Sequence, residues 1–389
     1  MTEAFMNTYH RLPLVFKEGC GAVLTDIQGR SYLDFTSGIA VNCLGHAYRP
    51  LVKAISEQAA KLIHVSNYYE SDTGNAFAEK LINVSKMKKV FLCNSGAEAN
   101  EGAIKIARKY SLKKYGEGRH NIVSLLGSFH GRTITTLSAT GQKKFHKDFG
   151  PFTGGFSFIP AEIPALEAAL DEHTAALLLE PIQGESGVIP LSVEFVRRAA
   201  ELCAEKDILL IFDEIQSGLG RTGKFFAHEH FGVQADIATL AKGLSGGIPV
   251  GVVLANEKTC EVFEPGDHGS TFGGNPLAAA AGLVVLNKVS DPVFLSEITE
   301  LGNYFMDSLR SLNNKHISAV RGKGLMIACD ITLDAWTILE KLIEAAQDGQ
   351  EGLLLLSAGP KTLRFLPPYI IRKNEIDRGL SLLDKIIGD

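Results

Sequence analysis

Short apolar runs alternate with amphipathic stretches through the middle of the 389-residue chain. Apolar runs of about four to eight residues separated by helical patterns are typical of strands buried on both faces of a parallel sheet. The predicted strands are KKVFLCN (88–94), NIVSLLG (121–127), AALLLEPI (175–182), DILLIFDEI (207–215), IATLA (237–241) and VGVVLA (250–255), and the predicted helices cover 97–115 and 192–206. The middle of the chain is therefore predicted to be an α/β domain.

The two ends of the chain have a different pattern. AVLTDIQGRSYLDF (22–35) predicts a β-hairpin, with polar Asp26 and Gly29 around the turn. After about residue 290 the pattern predicts two or three helices and short strands, including RGKGLMIACDI and TLRFLPPYI. Because 389 residues exceed the usual length of one domain, we expect two lobes. The large domain would cover 55–290, and a smaller α+β lobe would form from 1–54 and 291–389.

Composition narrows the classes of protein. The chain is 45% hydrophobic and 21% charged, its net charge is -5 and its pI is near 6.1, which argues against nucleic acid or an anionic membrane as a partner. No apolar run approaches the ~20 residues of a membrane span, and MTEAFMNTYHRLPLVF lacks the pattern of a secretory signal. No Cys-x-x-Cys pair occurs, so reduced thiols in a cytoplasmic protein are expected rather than disulfides or a zinc site. The cysteines are Cys20, Cys43, Cys93, Cys203, Cys260 and Cys329.

One lysine stands alone in an apolar, glycine-rich run. Lys242, in ATLAKGLSGGIPVG, is the only Asp, Glu, Lys or Arg between Ile237 and Asn256. A lysine after a strand is usually solvated, but burying an unpaired ammonium is costly. A buried lysine responds by lowering its pKa, which suits formation of a Schiff base. The end of this strand is therefore a candidate site.

Two other predicted strands end near chemically useful residues. Asp213 closes ILLIFDE, and Ser95-Gly96-Ala97-Glu98 follows KKVFLCN. Taken singly, each has an ordinary interpretation, such as a loop contact or a helix N-cap with Glu98 as capping-box partner. Together they place an amine, a carboxylate and a helix N-terminus at one sheet edge, where functional groups of α/β proteins collect. A helix N-terminus favours phosphate, so pyridoxal 5'-phosphate (PLP) would satisfy all three groups.

An ordered set of motifs strengthens this hypothesis. The motifs are YLDFTSGIAVNCLGH, FLCNSGAEANEGAIKIAR, SFHGRT, LLLEPIQGESGV, IFDEIQSGLGRTG, ATLAKGLSGGIPVG, HGSTFGGNPLAAAA and LRFLPPYI. From end to end the chain resembles the class-III, or ω-amino-acid, aminotransferases of PLP fold type I. The resemblance implies a large domain with a mostly parallel central sheet, a smaller lobe from both termini, and a homodimer with active sites at the subunit interface.

The resemblance also implies a set of cofactor contacts. Lys242 would form a Schiff base with PLP and shuttle a proton, and Asp213 would pair with the pyridinium nitrogen. Gln216 would donate to the phenolic oxygen, and Phe129 would stack on the ring. The phosphate would be bound by Ser95, Gly96 and Ala97, together with Thr271 of the partner subunit.

Substrate contacts follow from the same resemblance. Arg132 and Arg364 would each pair with a substrate carboxylate, and Glu185 would neutralise Arg364 when the donor lacks a carboxylate nearby. Asn67 and Ser270 would touch the acylated substrate or its carboxylate. For an isolated arginine a structural ion pair is the commoner role, and for Asn67 and Ser270 a structural role remains open.

The amino donor rests on finer features. Gly38-Ile39 leaves room for an acylated α-amine, and His130 with Ser66-Asn67 resembles the branch that acts on N2-acetyl-L-ornithine with 2-oxoglutarate, a step of arginine biosynthesis. Tyr9 could bind a carboxylate in either branch. Succinylornithine, 4-aminobutyrate and ornithine remain alternative donors, and a PLP mutase or a non-catalytic PLP-binding module remain alternative functions.

Two further patterns are weaker. His228 and His230 in AHEHFG mimic a metal-ligand pair, but no further ligands are assignable, so no metal is predicted. GEGRHN (116–121) has two glycines without a following helix in phase, which argues against a dinucleotide loop.

Overall fold

The computed structural model describes residues 4–388, except the side chain of Asp348. Over this range the chain forms seventeen strands and eleven helices. The strands are β1 (Phe16–Cys20), β2 (Val23–Asp26), β3 (Ser31–Asp34), β4 (Lys89–Cys93), β5 (Asn121–Leu125), β6 (Phe156–Ile159), β7 (Thr174–Leu179), β8 (Ile182–Gln183), β9 (Ile189–Pro190), β10 (Leu209–Asp213), β11 (Ile237–Leu240), β12 (Gly251–Ala255), β13 (Ile317–Lys323), β14 (Met326–Ile331), β15 (Gly352–Leu354), β16 (Leu356–Ser357) and β17 (Thr362–Phe365). The helices are α1 (Ser37–Ala40), α2 (Arg49–Ala59), α3 (Asp72–Ser85), α4 (Gly96–Tyr115), α5 (Ile134–Ser138), α6 (Ile163–Ala169), α7 (Val193–Lys206), α8 (Pro276–Val289), α9 (Pro292–Ser311), α10 (Ala335–Glu344) and α11 (Lys373–Gly388).

A seven-stranded sheet in the order β4-β12-β11-β10-β7-β5-β6 forms the centre of the molecule. The pairs β10–β11, β10–β7, β5–β7 and β5–β6 are parallel, whereas β12 runs antiparallel to β11 and β4. The reversal follows from the short connection between β11 and β12, because a parallel pair needs a longer crossover. The predicted α/β fold with a mostly parallel central sheet is confirmed.

The central sheet is buried on both faces, as its apolar strands predict. Alternate residues of β10 enter different cores: Leu210 and Phe212 join the larger one, whereas Leu209 and Ile211 pack with α4 in the second. Asp213 follows the same alternation, so it projects toward the α4 side. The carboxyl ends of β4, β5, β7, β10 and β11 meet at one edge.

Strands from both chain ends share a sheet. The predicted hairpin is present as β2 and β3, and β15 pairs parallel with β3. A separate antiparallel sheet has the order β13-β14-β17-β16. The C-terminal pattern predicted two or three helices, and the structure has three, α9, α10 and α11. The division into domains at 55 and 290 stays a prediction.

The single turn α1 is left-handed. Its residues have φ angles of 44° at Ser37, 62° at Gly38, 65° at Ile39 and 63° at Ala40. Left-handed turns cost roughly 1–2 kcal/mol for each residue with a β-carbon. Asp34 stabilises the turn, because its Oδ1 accepts hydrogen bonds from the backbone N–H groups of Thr36 and Ser37 at 2.9 and 3.0 Å.

All six cysteines are free thiols, and Cys43, Cys93, Cys203 and Cys329 are buried. This agrees with the predicted absence of a disulfide framework. Among residues 4–388, no single helix is long and apolar enough to span a membrane; α8 and α9 satisfy length and composition only as a pair bent by 73°.

Candidate active site

A cavity of about 440 Å³ opens at the carboxyl edge of the central sheet. This volume lies in the range of small-molecule sites in proteins. Nine of the thirteen residues that the sequence analysis singled out for cofactor and substrate line it: Ser95, Gly96, Ala97, Phe129, Arg132, Glu185, Asp213, Gln216 and Lys242. The fold thus brings together most of the predicted site.

Lys242 lies two residues after β11 and begins a short 3-10 turn with φ of 41°. Within the described part of the chain its ammonium has neither a hydrogen bond nor an ion pair. Burial lowers the pKa of Lys242; the negative charge of Glu185 opposes that shift, and the guanidinium of Arg364 adds to it. An amine with a lowered pKa is a better nucleophile toward a carbonyl at neutral pH.

Asp213 is the last residue of β10 and is 4% exposed. Its Oδ2 accepts a hydrogen bond from Asn100 Nδ2 at 2.7 Å and lies 2.8 Å from His130 Nδ1, and its Oδ1 accepts from the backbone N–H of Ile215 at 3.1 Å. These contacts fix the orientation of the carboxylate. An oriented anion in a cavity is suited to hold a protonated ring nitrogen.

Further hydrogen bonds fix the two side chains that support Asp213. Thr239 Oγ1 on β11 donates to Asn100 Oδ1 at 2.8 Å. His130 Nε2 lies 3.1 Å from Ser124 Oγ on β5. Three neighbouring elements, α4, β11 and β5, therefore determine the position of one carboxylate.

The N-terminus of α4 forms one wall of the cavity. Ser95 caps the helix by accepting a hydrogen bond from the N–H of Glu98 at 3.2 Å. The N–H groups of Gly96 and Ala97 belong to the first turn of the helix, where no earlier helical carbonyl can accept them, so they are available to a ligand. A β-carbon at Gly96 would lie 2.8 Å from Ile215 Cδ1, so glycine permits this close packing. Free N–H groups and the helix dipole make this wall suitable for a phosphate.

Gln216 and Phe129 lie on other walls of the cavity. Gln216 Oε1 is buried and has no hydrogen-bond partner among residues 4–388. The guanidinium of Arg132 lies 5.6 Å from the centre of the Phe129 ring and 4.0 Å from that of Phe145. An unpaired amide oxygen, an aromatic ring and a cation that line one cavity are more typical of a ligand site than of a closed core.

Arg364 lies on β17 beneath Glu185. Its Nη1 donates to Glu185 Oε1 at 2.7 Å and to the carbonyl of Gly184 at 3.0 Å, and its Nε is buried without a partner in the described residues. Although burial alone would raise it, the pKa of Glu185 is lowered by the Arg364 charge. Glu185 lines the cavity and Arg364 does not, so Glu185 lies between the guanidinium and the cavity.

The remaining predicted residues do not lie beside Lys242 within one chain. Asn67 and Ser270 line a neighbouring groove of about 380 Å³, where Asn67 Nδ2 donates to the carbonyl of Ser270 at 2.8 Å. Asn94 lines the cavity, and its Nδ2 donates to Oγ of Ser270, a residue of the groove, at 3.0 Å. Thr271 and Tyr9 are exposed. Their predicted roles stay predictions.

The two histidines of AHEHFG have ordinary hydrogen-bond partners. His228 is stacked between Phe212 and Phe226, and its Nδ1 lies 3.0 Å from Glu214 Oε1. His230 Nε2 lies 3.1 Å from the carbonyl of Thr222. No group of three or more metal-ligating side chains occurs in the range that the structure describes.

The sequence analysis missed Glu180 and Asn100. Glu180 follows β7, lines the cavity and is 7% exposed. The rule that selected Asp213, a carboxylate at the end of a buried strand, applies equally to Glu180. Asn100 belongs to the first turns of α4, where nothing in the local sequence distinguishes it from a helix-surface residue.

The residues present fit pyridoxal phosphate on their own chemistry. The cavity combines an amine of lowered basicity, an oriented carboxylate, free helix N–H groups and an unpaired buried amide oxygen. At the carboxyl edge of a mostly parallel sheet, this combination defines a PLP-dependent transferase of fold type I.

The family is shown by sequence comparison. The model of the class-III aminotransferases matches residues 4–387. The chain is 48% identical over 388 residues to the acetylornithine aminotransferase of Caldanaerobacter subterraneus subsp. tengcongensis, which covers 99% of this chain and 97% of that protein. It is 47% identical over 384 residues to the acetylornithine aminotransferase of Aquifex aeolicus, with 98% and 99% covered. The chain belongs to the class-III aminotransferase family.

Solved structures agree with this assignment. The ornithine aminotransferase of Toxoplasma gondii ME49 superposes with a TM-score of 0.93 at 35% identity, covering 99% of this chain and 92% of that one. The N-acetylornithine aminotransferase of Stenotrophomonas maltophilia K279a gives a TM-score of 0.84 at 39% identity, with 97% and 96% covered. The similar structures therefore include an ornithine aminotransferase and an N-acetylornithine aminotransferase, whereas both relatives compared by sequence are acetylornithine aminotransferases.

Proposed function

We propose that the protein transfers the terminal amine of N2-acetyl-L-ornithine to 2-oxoglutarate, giving N-acetyl-L-glutamate 5-semialdehyde and L-glutamate. The Glu185–Arg364 pair beside Lys242 supports this proposal most directly. A transaminase of this kind must accept a dicarboxylate in one half-reaction and a substrate with one carboxylate in the other. An arginine that is neutralised by a neighbouring glutamate for one substrate, and bound to a carboxylate for the other, would meet both requirements.

The proposed roles follow from the side chains. When bound, pyridoxal phosphate supplies the electron sink for negative charge at the substrate carbon that loses its amine. Lys242 Nζ would hold the cofactor covalently and, when free, would move the proton at that carbon. Asp213 would pair with the protonated ring nitrogen, the first N–H groups of α4 would bind the phosphate, and Arg132 would bind the remote carboxylate of the donor.

The donor is proposed from similarity and from one local feature. The acetylornithine aminotransferases of C. subterraneus and A. aeolicus are 48% and 47% identical to this chain. By resemblance to the family, Gly38-Ile39 occupies the place of a tyrosine in the ornithine branch and would leave space for an acylated α-amine. Succinylornithine is the first alternative donor, followed by 4-aminobutyrate and ornithine.

We also propose that the active unit is a homodimer. Thr271 is exposed, as are the large side chains of Tyr68 (93%), Tyr69 (71%) and Phe272 (61%) near the Asn67–Ser270 groove. Exposed aromatic groups of this density are typical of association surfaces. A partner packed here would bring its Thr271 to the phosphate, and Asn67 and Ser270 to the substrate.

A donor comparison tests the function. We would measure kcat/KM for acetylornithine, succinylornithine, 4-aminobutyrate and ornithine, each with 2-oxoglutarate. Preference for acetylornithine is expected, whereas preference for free ornithine would refute the donor assignment. Turnover without a keto acid would indicate a mutase, and a holoprotein whose absorbance does not respond to any amine would indicate a non-catalytic module.

A further inference from the structure

Glu180 stands beside Asp213 at the edge of the central sheet. In the parallel pair of β7 and β10, Leu179 lies opposite Phe212, so the next residues, Glu180 and Asp213, are lateral neighbours. Leu179 and Phe212 both enter the larger core, so alternation turns Glu180 and Asp213 to the opposite, α4 side. Neighbouring strands are about 5 Å apart, so two carboxyl groups share one wall of the cavity.

The two carboxyl groups have unequal partners. Asp213 Oδ2 accepts a hydrogen bond from Asn100 Nδ2 and lies 2.8 Å from His130 Nδ1. Glu180 receives only backbone N–H groups, from Phe129 at 2.8 Å on Oε1 and from Gly184 at 3.3 Å on Oε2. No lysine, arginine or histidine of residues 4–388 lies within ion-pair distance of Glu180. Glu180 is therefore the less stabilised anion of the two.

Two adjacent buried carboxylates rarely both ionise, because repulsion and desolvation act together. We propose that Glu180 is a positioning residue that keeps its proton up to about neutral pH, so that below that pH it adds no negative charge beside Asp213. As a neutral acid, Glu180 accepts the N–H of Phe129 on Oε1 and carries its proton on Oε2, where the contact from Gly184 is the longer one at 3.3 Å. In this form it adds no negative charge to that of Glu185 near Lys242.

The charged groups around Glu180 come from several elements. Burial raises the pKa of Glu180 to about 7; the charge of His130 opposes this shift, and that of Asp213 adds to it. Lys242 lies across the cavity, and the negative form of Glu180 would raise its pKa, as Glu185 and Asp213 also do, whereas Arg364 lowers it. The protonation state of Glu180 therefore adjusts the basicity of Lys242.

Infrared spectroscopy of the holoenzyme tests the protonation state. The carbonyl band of a protonated carboxylic acid is expected at pH 6, and it should disappear as the pH rises through neutrality and above. Labelling with ¹³C-glutamate should shift the band, whereas ¹³C-aspartate should not. This measurement needs no variant and no turnover, so its failure is distinct from failure of the proposed function.

Two variants assign the band to a residue. Glu180→Gln should abolish it. Glu214→Gln is the matched control, because Glu214 is a fully buried carboxyl that accepts from Ser217 and His228 and lies outside the cavity; it should keep the band. Absence of the band in the unsubstituted enzyme at pH 6, or its persistence in Glu180→Gln, would overturn the proposal.

A second readout separates positioning of charge from mere structural support. The cofactor absorbance of the holoenzyme is titrated against pH. Only ionised Glu180 favours a proton on the Lys242 nitrogen, so Glu180→Gln should move the midpoint to lower pH when that midpoint lies above neutrality, and should leave it in place when it lies below. Glu214→Gln should change neither. A higher midpoint in Glu180→Gln, or a shift of a midpoint well below neutrality, would contradict the inference.

Discussion

Glu185 Oε1 and Arg364 Nη1 are 2.7 Å apart, and this ion pair separates a buried guanidinium from the cavity that contains Lys242. The side chain of Glu185 is 29% exposed, whereas that of Arg364 is 3% exposed. The acid is therefore the more solvent-accessible partner of the pair, and the guanidinium is the buried one.

Replacing the acid of this pair should alter substrate discrimination. In Glu185→Gln no acid neutralises the guanidinium of Arg364. A donor that places an uncharged group beside Arg364 should therefore bind less well, whereas glutamate, which places a carboxylate there, should not. We expect the ratio of kcat/KM for acetylornithine over glutamate to fall about tenfold, or ~1.4 kcal/mol. Glu185→Asp keeps the charge and should change the ratio less. Equal ratios in all three proteins would argue against neutralisation.

The pH dependence of the same pair has a defined sign. The pKa of Glu185 is lowered in the folded protein, so its ion pair is present above the usual pKa of 4.5 and is lost as the pH falls below it. Discrimination between the two amino donors should therefore be constant through neutrality. A loss of discrimination centred between pH 6 and about 8 would show that another group controls the pair.

The ammonium of Lys242 should destabilise the cofactor-free protein. Lys242→Met replaces an unpaired buried cation by an apolar side chain, and we expect the free energy of unfolding at pH 7 to rise by about 1–3 kcal/mol. The pKa of Lys242 in the folded protein lies below the usual 10.5. Between these two pKa values the unfolded chain binds more protons than the folded protein, so the stability of the wild type rises with pH there. The difference should shrink toward pH 10.5 in urea titrations. Lys53→Met, at an exposed lysine, should show neither effect.

The hydrogen bonds that position Asp213 should contribute less to kcat than the negative charge of its carboxylate. Asp213→Asn removes the anion and is expected to lower kcat by at least about a hundredfold. His130→Phe leaves Asn100 and the Ile215 N–H on the carboxylate, so a loss of about tenfold is expected. Single-turnover absorbance measurements compare the two. A larger loss in His130→Phe than in Asp213→Asn would indicate that His130 acts on the substrate directly.

A mixed dimer tests whether Thr271 acts across the subunit interface. Thr271→Val alone should weaken cofactor binding about tenfold, the value of one charge-assisted hydrogen bond. Pairing a Thr271→Val chain with a Lys242→Ala chain gives one site with both an intact lysine and, if the partner supplies it, an intact threonine. Wild-type cofactor affinity at that site supports action across the interface. Weak affinity there would place Thr271 in its own subunit's site.

The sequence pattern predicted many of the elements, although not β6, α2, α3 or α8, and it was insufficient for the register of the strands. β10 was expected within 207–215 and occupies Leu209–Asp213, and the helix expected over 97–115 is Gly96–Tyr115. Apolar periodicity is local, so it identifies such elements directly. It does not show which residues of neighbouring strands are opposite each other, and the adjacency of Glu180 and Asp213 depends on that alone.

Sheet direction and the left-handed turn were also beyond the pattern. β12 was expected as one more strand of a parallel sheet, but the short connection after Lys242 reverses it. In the turn Ser37–Ala40, Ile39 is β-branched and has φ of 65°, a conformation that its own side chain disfavours. Tertiary contacts, such as that of Ser37 Oγ with the carbonyl of Leu366, impose it.

The strain at Ile39 should be measurable by comparing two substitutions that remove the same side chain. Ile39→Gly and Ile39→Ala both lose the half-exposed isoleucine, but only glycine is comfortable at φ of 65°. We expect the glycine variant to be more stable than the alanine variant by about 1–2 kcal/mol in urea unfolding. Val52 in α2 is similarly exposed, and there the order should reverse by about 1 kcal/mol, because glycine disfavours a right-handed helix. If alanine is the more stable at both positions, the left-handed turn stores no strain at Ile39.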